Sequence, residues 1–300
     1  MTIGVLVMAY GTPTTRDDVE PYYTRIRHGR PPTPELLADL VRRYDAIGGA
    51  SPLAERTARQ VARLAATLEA RHPGKYVVVF GSKYEPPLLE EAACELVERG
   101  VERVVGLVLA PHSSSMSTDQ YMERARAALG EDVAFTAIGA WWDAEGFCEL
   151  IGKRVLAALA TIPPERRETT EVVFSAHSLP EKILETGDSY PDQLAESARR
   201  AANAAGLARH ELAWQSAGRT SDVWLGPDIL VKLANLAARG VTDVVSCPIG
   251  FVADHLEVLF DIDVDGQRVA REVGVNLVRT ASLNDDPDFI DILATVVERE

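Results

Sequence analysis

The sequence contains few of the features that mark secreted, disulfide-bonded or membrane-spanning proteins. Its three cysteines, Cys94, Cys148 and Cys247, are scattered through 300 residues without a Cys-x-x-Cys spacing. An odd number of isolated thiols argues against a disulfide framework or a zinc knot and favours a reducing compartment. No apolar run approaches the roughly 20 residues of a membrane span, and the N-terminus lacks the basic stretch of a signal peptide. We therefore expect a cytoplasmic protein without membrane insertion.

Positive charge is also scarce. The chain has 31 lysines and arginines against 45 aspartates and glutamates, and its formal net charge at pH 7 is −14. Binding to phosphate backbones requires a basic face, so this balance argues against nucleic acid as a partner. The glycines do not form a Gly-x-Gly-x-x-Gly pattern either, which leaves dinucleotide binding without support.

Short β-branched runs alternate with long amphipathic stretches along the whole chain, a pattern that predicts parallel sheets covered on both faces. We expect an α/β fold of two Rossmann-like, doubly wound domains, each with a four-stranded parallel sheet, facing each other across a cleft. Residues 1–142 would form the N-terminal lobe, joined by the C-terminal helix 287–300, and residues 143–286 the C-terminal lobe. The predicted strands are Ile3–Met8, Tyr76–Gly81, Val104–Leu109, Ala134–Ile138, Val172–Ser175, Glu211–Gln215, Val244–Pro248 and Gly274–Val278.

The two halves also share a local pattern. Gly100–Val105 and Gly240–Val245 both read Gly-Val-x-x-Val-Val, and each enters a predicted strand. We interpret this as a hint that the two domains repeat one architecture.

The stretch with the clearest chemistry follows the predicted strand Val172–Ser175. The apolar run ends in small and polar residues, and His177 stands at the break. Ligands bind at the carboxyl ends of parallel strands, and a histidine there can accept a proton near neutral pH or ligate a borderline metal. A histidine that only bonds a neighbouring loop is the competing interpretation.

A second polar segment follows the predicted strand Val244–Pro248. Glu257, Asp261 and Asp265 recur at i, i+4 and i+8 within a predicted helix over Ala253–Gln267, so they share one helix face. That face is either a solvated acidic surface or a route for a cation toward the cleft.

Seven short motifs occur in one order along the chain, and together they resemble the ferrochelatase family, specifically its coproporphyrin branch typical of Gram-positive bacteria. Each motif alone is weak, whereas the ordered set is specific and runs essentially end to end. The motifs are Leu6-Val-Met-Ala-Tyr10-Gly-Thr-Pro13, Tyr44-Asp-Ala-Ile-Gly-Gly-Ala-Ser51-Pro-Leu, Leu109-Ala-Pro-His112, Ser175-Ala-His177-Ser-Leu-Pro, Trp214-Gln-Ser, Trp224-Leu-Gly-Pro and Gly250-Phe-Val-Ala-Asp-His-Leu-Glu257.

The resemblance implies a lyase that inserts Fe(II) into coproporphyrin III during haem biosynthesis and releases two pyrrole protons. It implies that His177 and Glu257 are the catalytic and metal-handling pair. It assigns Asp261 and Asp265 to an outer site for a weakly bound divalent cation, although a related enzyme has glutamate where Asp265 stands. It implies that the porphyrin is held by Tyr10, Arg27, Arg43, Tyr44, Ser51 and Tyr121.

A basic island, defined as Arg25–Pro34 with Arg42 and Arg43, stands out in this acidic chain. It is either a solvated, proline-stiffened loop or a clamp for carboxylates, which arginine pairs with bidentately. The four propionates of coproporphyrin would suit such a clamp. An enzyme acting on protoporphyrin at a membrane should show an apolar lip here instead.

Some relatives carry a [2Fe–2S] cluster on a cysteine-rich extension. This chain has no cysteine after Cys247, and such a cluster needs four thiolates. We therefore expect no cluster. We also expect a monomer that makes transient contacts with other haem-synthesis enzymes.

Two other functions remain open at this stage. A cobalt or sirohydrochlorin chelatase would typically offer a second active-site histidine where this chain has Tyr10. A non-catalytic two-lobed protein that binds metal or porphyrin would bind stoichiometrically without turnover.

Overall fold

The computed structural model describes residues 2–300, and within them eight parallel strands form two separate sheets of four. The strand order is β2-β1-β3-β4 in the first sheet and β6-β5-β7-β8 in the second, so the two sheets repeat one topology. This confirms the predicted α/β class. The strands are β1 Ile3–Ala9, β2 Tyr76–Ser82, β3 Arg103–Val108, β4 Ala134–Ile138, β5 Glu171–His177, β6 Glu211–Gln215, β7 Asp243–Cys247 and β8 Asn276–Arg279.

Helices connect successive strands and cover the sheets. Short 3-10 turns at Arg16–Asp18 and Glu181–Thr186 add to them. The helices are α1 Val19–Ile26, α2 Pro34–Ala46, α3 Leu53–Arg71, α4 Leu89–Glu98, α5 Thr118–Leu129, α6 Phe147–Ala160, α7 Pro164–Arg167, α8 Tyr190–Ala204, α9 Ile229–Ala238, α10 Leu256–Val258, the π-helix Leu259–Gly266, α11 Gln267–Val273 and α12 Pro287–Glu298.

The repeated Gly-Val-x-x-Val-Val segments occupy equivalent places. Gly100 ends α4 before β3, and Gly240 ends α9 before β7, with φ values of +67° and +84°. Only glycine adopts this left-handed backbone without strain, and it is the usual helix terminator. The valine after each glycine donates its N–H to a carbonyl of the last helical turn, at Leu96 in one half and Leu236 in the other.

The hydrophobic core is continuous between the two sheets. Val5 and Val7 of β1 share one buried cluster with Phe174 of β5, Phe147 of α6 and Phe289 of α12. Two further clusters lie on the outer faces, one under α4 and α5 and the other under α9 and α11. Burying both faces of each sheet explains why the strands are apolar throughout instead of alternating.

The C-terminal helix contacts both halves of the chain. From α3, Arg71 pairs with Asp291 and Glu298 of α12, each at 3.0 Å. From α6, Arg154 pairs with Asp286 at the start of α12. The division into lobes at residue 142, with helix 287–300 assigned to the first, stays a prediction.

Two stretches differ from the sequence-based expectation. The helix expected from Ala253 begins at Leu256 because Asp254 accepts hydrogen bonds from Ser282 and the Asn284 side chain, which holds this loop out of helical geometry. The helix α1 was not predicted, since it is short and buries few apolar side chains. No helix among residues 2–300 combines the length and apolar character needed to cross a membrane.

Candidate active site

Each sheet has a point where the chain leaves one central strand and returns on its other side. In the first sheet this point lies between β1 and β3, and in the second between β5 and β7. Ligands bind at the carboxyl edge of such switch points. Tyr10 directly follows β1, His177 ends β5, and the segment from Gly250 to Glu257 follows β7. The topology therefore gathers the predicted catalytic residues at the switch points.

One imidazole nitrogen of His177 is committed to the backbone. Nδ1 lies 2.5 Å from the carbonyl oxygen of Ser178. Because a carbonyl can only accept, Nδ1 carries the proton in this contact. Nε2 lies 3.5 Å from Oε1 of Glu257. The structure thus brings the predicted pair together, with Nε2 as the ring nitrogen that faces the carboxylate.

Glu257 lies between two histidines. Its second oxygen, Oε2, is 3.5 Å from Nε2 of His255, whose Nδ1 lies 3.0 Å from the carbonyl oxygen of Ala253. The ring of Phe251 packs against His255 at 4.8 Å and against His177 at 6.5 Å. We assigned no role to His255 from sequence, although it stands two positions before Glu257 in the same motif.

His177 and Glu257 shift each other's pKa values, and His255 adds to the shift at Glu257. Burial disfavours the imidazolium of His177, but the charge and hydrogen bond of Glu257 outweigh it and raise the pKa to about 8. Burial would raise the pKa of Glu257, whereas His177 and His255 together hold it well below its usual range. At neutral pH the pair is therefore predominantly an imidazolium facing a carboxylate.

Glycine is required where the loop after β7 crosses β5. A Cβ added at Gly250 would lie 2.5 Å from Cβ of Ala176 and 2.8 Å from its Cα. The N–H of Gly250 donates to the carbonyl of Ser175, 3.1 Å away. This close passage places the segment carrying Glu257 over the strand that ends at His177.

The outer acidic residues each have a partner. Asp261 accepts a hydrogen bond from Ser216, which explains the Trp214-Gln-Ser motif. Burial, together with the nearby charge of Glu257, raises the pKa of Asp261 to about 6. Asp265 lies 3.6 Å from Arg268. Within residues 2–300 no three His, Cys, Asp or Glu side chains converge as a metal centre, so the outer cation site stays a prediction.

The arginines of the basic island differ in their pairing. In the described part of the chain, no carboxylate pairs with Arg27, which lies against the ring of Tyr23 and donates to the Arg30 carbonyl. Arg43, by contrast, donates to Asp39 at 3.0 Å. Asp39 also binds Arg219 at 2.7 Å, a residue on the loop before Trp224. The importance of Asp39 was missed, although its spacing from Arg42 and Arg43 predicts helical ion pairs.

α2 also meets the π-helix of the other half. The guanidinium groups of Arg42 and Arg43 lie over the Phe260 ring at 5.4 and 5.2 Å. Arginine stacked on an aromatic face is attracted by the electrons of the ring. Two arginines of the basic island therefore border the π-helix that carries Asp261 and Asp265.

Four further predicted porphyrin residues lie in the first half of the chain. Tyr10 is 43% exposed, and its ring lies 4.8 Å from that of Tyr84. The hydroxyls of Tyr44 and Thr12 are 3.3 Å apart. The two remaining predicted residues, Ser51 and Tyr121, are buried, and their contact with a porphyrin stays a prediction.

The charge of Glu257 also contributes to raised pKa values of tyrosines in this half of the chain. Burial of the phenol raises the pKa of Tyr44 to about 12, against the effect of the Thr12 hydrogen bond and with a further contribution from Glu257. Partial burial of the phenol, then Tyr84 and then the charge of Glu257, also raise the pKa of Tyr10 above its usual value. These phenols therefore lie within electrostatic reach of Glu257, and the tyrosine-lined half faces the histidine-lined half.

His112 ends the Leu109-Ala-Pro-His motif but serves the packing of the two halves. It is buried and lies 2.7 Å from the hydroxyl of Ser197 on α8. Burial lowers the pKa of His112 to about 3, so its imidazole stays neutral. His112 therefore connects the segment after β3 to α8 and does not belong to the charged groups of the candidate site.

Comparisons with known proteins point to one family. The family model described as Ferrochelatase matches residues 2–300. A coproporphyrin III ferrochelatase from Geobacillus kaustophilus is 46% identical over 99% of this chain and 95% of its own. One from Bacillus subtilis is 44% identical over 98% of this chain and 96% of its own. A ferrochelatase from Herpetosiphon aurantiacus is 45% identical over 98% of this chain and 97% of its own.

Solved structures share the fold at much lower identity. The sirohydrochlorin chelatase SirB from Bacillus subtilis subspecies spizizenii, in complex with cobalt, has a TM-score of 0.59 at 12% identity and covers 100% of this chain and 95% of its own. CbiX, described as a terminal enzyme of sirohaem biosynthesis in denitrifying bacteria, has a TM-score of 0.55 at 15% identity over 99% and 98%. These likenesses establish the chelatase-type arrangement of the two sheets.

Proposed function

The chain belongs to the ferrochelatase family, and we propose that it inserts Fe(II) into coproporphyrin III to give coprohaem in haem biosynthesis. The observation that carries this proposal is the facing pair of His177 and Glu257 at the switch point of the second sheet. Relatives named coproporphyrin III ferrochelatases, similar over nearly their whole length, support the choice of porphyrin.

Metallation exchanges one cation for two protons. Fe(II), which is a substrate, loses its water and binds the four ring nitrogens, while both pyrrole N–H protons leave the macrocycle. Nε2 of His177 is the ring nitrogen able to accept a proton or bind the arriving iron, because Nδ1 is held by Ser178. Its pKa of about 8 requires that it first lose the proton it carries at neutral pH.

Glu257 has two duties in this proposal. Its carboxylate stabilises His177 whenever the imidazole is protonated. Glu257 itself remains ionised throughout the neutral range because the two histidines lower its pKa. A carboxylate and an imidazole together offer a borderline metal two suitable donors. The macrocycle supplies the remaining donors, so the iron passes the pair without being retained.

The porphyrin is expected to bind between the tyrosine-lined half and the histidine-lined half. Tyr10 would lie over the ring, and Arg27 and Arg43 would bind propionates, with Tyr44, Ser51 and Tyr121 completing the pocket. These assignments extend the resemblance residue by residue. Monomeric state, cytoplasmic location and the absence of a cluster also stay predictions.

The decisive experiment mixes purified protein with coproporphyrin III and Fe(II) without oxygen and follows the porphyrin absorbance. We expect the free-base bands to be replaced by those of the iron complex over many turnovers. A parallel reaction with sirohydrochlorin and Co(II) should be slow. If turnover occurs only with sirohydrochlorin, the sister activity is correct, and stoichiometric binding without turnover would indicate a carrier.

A further inference from the structure

A cavity of about 450 Å³ opens beside Tyr84, whose ring packs against Tyr10, and none of the predicted site residues lines it. It lies between the turn after α1, the end of β2 and helix α5. Its walls are unusually basic for this acidic chain, since Arg25, Lys83 and Arg124 all line it.

The charges in these walls are not equally neutralised. Arg25 pairs with Glu85, and Arg124 makes two hydrogen bonds to Glu90, at 2.7 and 2.8 Å. Lys83 is only 7% exposed and, in the part of the chain that the structure describes, no carboxylate pairs with it. A buried cation without an anion is costly and is rarely kept without a function.

The ammonium of Lys83 is nevertheless ordered. Nζ donates to the side-chain oxygen of Gln120 at 2.6 Å and lies 5.4 and 4.9 Å from the ring centroids of Tyr84 and Tyr121. Aromatic faces attract an ammonium group, but they carry no net negative charge and so do not neutralise it as a carboxylate does. Since an ammonium has three donors, two remain for a ligand.

The cavity adjoins the proposed porphyrin site. One aromatic neighbour of the Lys83 ammonium, Tyr121, is itself a predicted porphyrin residue. The other, Tyr84, packs against a second such residue, Tyr10. The backbone is continuous as well, because the N–H of Lys83 donates to the carbonyl of Ala9, the residue before Tyr10.

Resting on the function proposed above, we propose that this cavity is a carboxylate subsite in which Lys83 binds a propionate arm present in coproporphyrin but absent from protoporphyrin. The basic island already offers Arg27 and Arg43 to two carboxylates. A further cationic group outside the basic island, Lys83, fits a ligand with four carboxylates and is left unmatched by one with two. Lys83 would then act as a specificity determinant.

Burial makes this lysine sensitive to its ligand. Burial and, secondarily, the charge of Arg124 lower the pKa of Lys83 to about 8, so the empty site holds its proton weakly at neutral pH. A carboxylate bound in the cavity would oppose both effects and stabilise the charged form.

The test measures porphyrin affinity without iron, by quenching of porphyrin fluorescence at one ionic strength. Lys83→Gln should weaken coproporphyrin III binding about tenfold, equal to about 1.4 kcal/mol, and protoporphyrin binding by less than about twofold. Lys83→Arg, which keeps the charge, should restore much of the affinity. Lys182→Gln is the matched control, because Lys182 is exposed and pairs with Asp222 outside the site.

The outcomes separate this proposal from the proposed function. If wild-type protein metallates coproporphyrin III but Lys83→Gln weakens both porphyrins equally or neither, the subsite is wrong and the function stands. If citrate alone raises the melting temperature of wild type but not of Lys83→Gln, and porphyrin affinities do not differ, the cavity serves a free anion and the proposal fails.

Folding of the variant is checked by its melting temperature without porphyrin. Because the substitution removes a buried charge without a counterion, we expect the same or a higher melting temperature than wild type. Should Lys83→Gln unfold, Lys83→Met provides the same comparison, and equal affinity of Lys83→Met and wild type for coproporphyrin III overturns the subsite.

Discussion

The candidate site has two walls, one with His177, His255 and Glu257 from the second half of the chain and one with Arg27 and Lys83 from the first half. The two walls differ in whether their charges are paired. In the second half, Glu257 lies 3.5 Å from both His177 and His255, and the pKa values of His177 and Glu257 are displaced by their neighbours. In the first half, Arg27 and Lys83 have no carboxylate partner among the described residues, and their charge stays available. Proton transfer requires groups tuned against each other, whereas binding of an anionic ligand requires charge that the protein has left unpaired.

The strongest test of this contrast removes the reactive imidazole. His177→Ala should reduce the metallation rate about 1,000-fold, the range of a general base or ligand, and leave coproporphyrin affinity within about twofold. We expect the affinity to be kept because the charges that would bind the porphyrin carboxylates belong to the wall from the first half of the chain. Steady-state kinetics and fluorescence quenching measure the two effects. A variant that retains more than about a tenth of the turnover would show that His177 is dispensable.

The next largest effect concerns Glu257. Glu257→Gln should lower the saturated rate about 100-fold, because the imidazolium loses its stabilising carboxylate. The profile of kcat/KM against pH should rise through the wild-type pKa of about 8 as His177 loses its proton. Without the carboxylate this limb should move to lower pH. A limb that does not move would assign the titration to another group.

On the binding wall, Arg27 should matter more than Arg43. Arg27→Ala should weaken coproporphyrin binding about tenfold at low salt, and less at high salt because exposed charges are screened. Arg43→Ala should cost less, since Asp39 already shares that guanidinium. Arg199→Ala on the exposed face of α8 serves as the control. Equal losses at low and high salt would argue against charge pairing.

The smallest expected effect lies at the border of the two walls. Changing both Asp261 and Asp265 to Asn should raise the Fe(II) concentration for half-maximal rate about threefold, with little change in the saturated rate, because only delivery is impaired. The difference should shrink below pH 6, where Asp261 becomes protonated in the wild type. A large loss of saturated rate would place the two aspartates in the reaction centre.

The elements could be predicted because their signals are local. Each of the eight predicted strands overlaps an observed strand, and the ends differ by no more than about two residues. The π-helix was out of reach, since its i→i+5 hydrogen bonds leave no clear trace in apolar spacing. The helix predicted over Ala253–Gln267 begins at Leu256 because the Asn284 side chain binds Asp254, a contact that hydrophobic periodicity does not register.

The site was predictable to a lesser extent. The motifs identified His177 and Glu257, and the structure places them 3.5 Å apart. His255 lies within the motif that runs from Gly250 to Glu257, yet only its distance to Glu257 indicates a role. Lys83 stands at a strand end as His177 does, a signal that could have drawn attention to it.

By itself the sequence determined the α/β class, the repeat of one topology and the family, because periodicity and ordered motifs are properties of neighbouring residues. The tertiary structure alone decided which charges are paired. Any carboxylate of this acidic chain could have folded next to Lys83 or Arg27, and only the packed arrangement shows that Glu85 and Glu90 neutralise the arginines beside Lys83 instead. Pairing depends on distances between residues far apart in the chain, and those distances are set by how the two sheets pack.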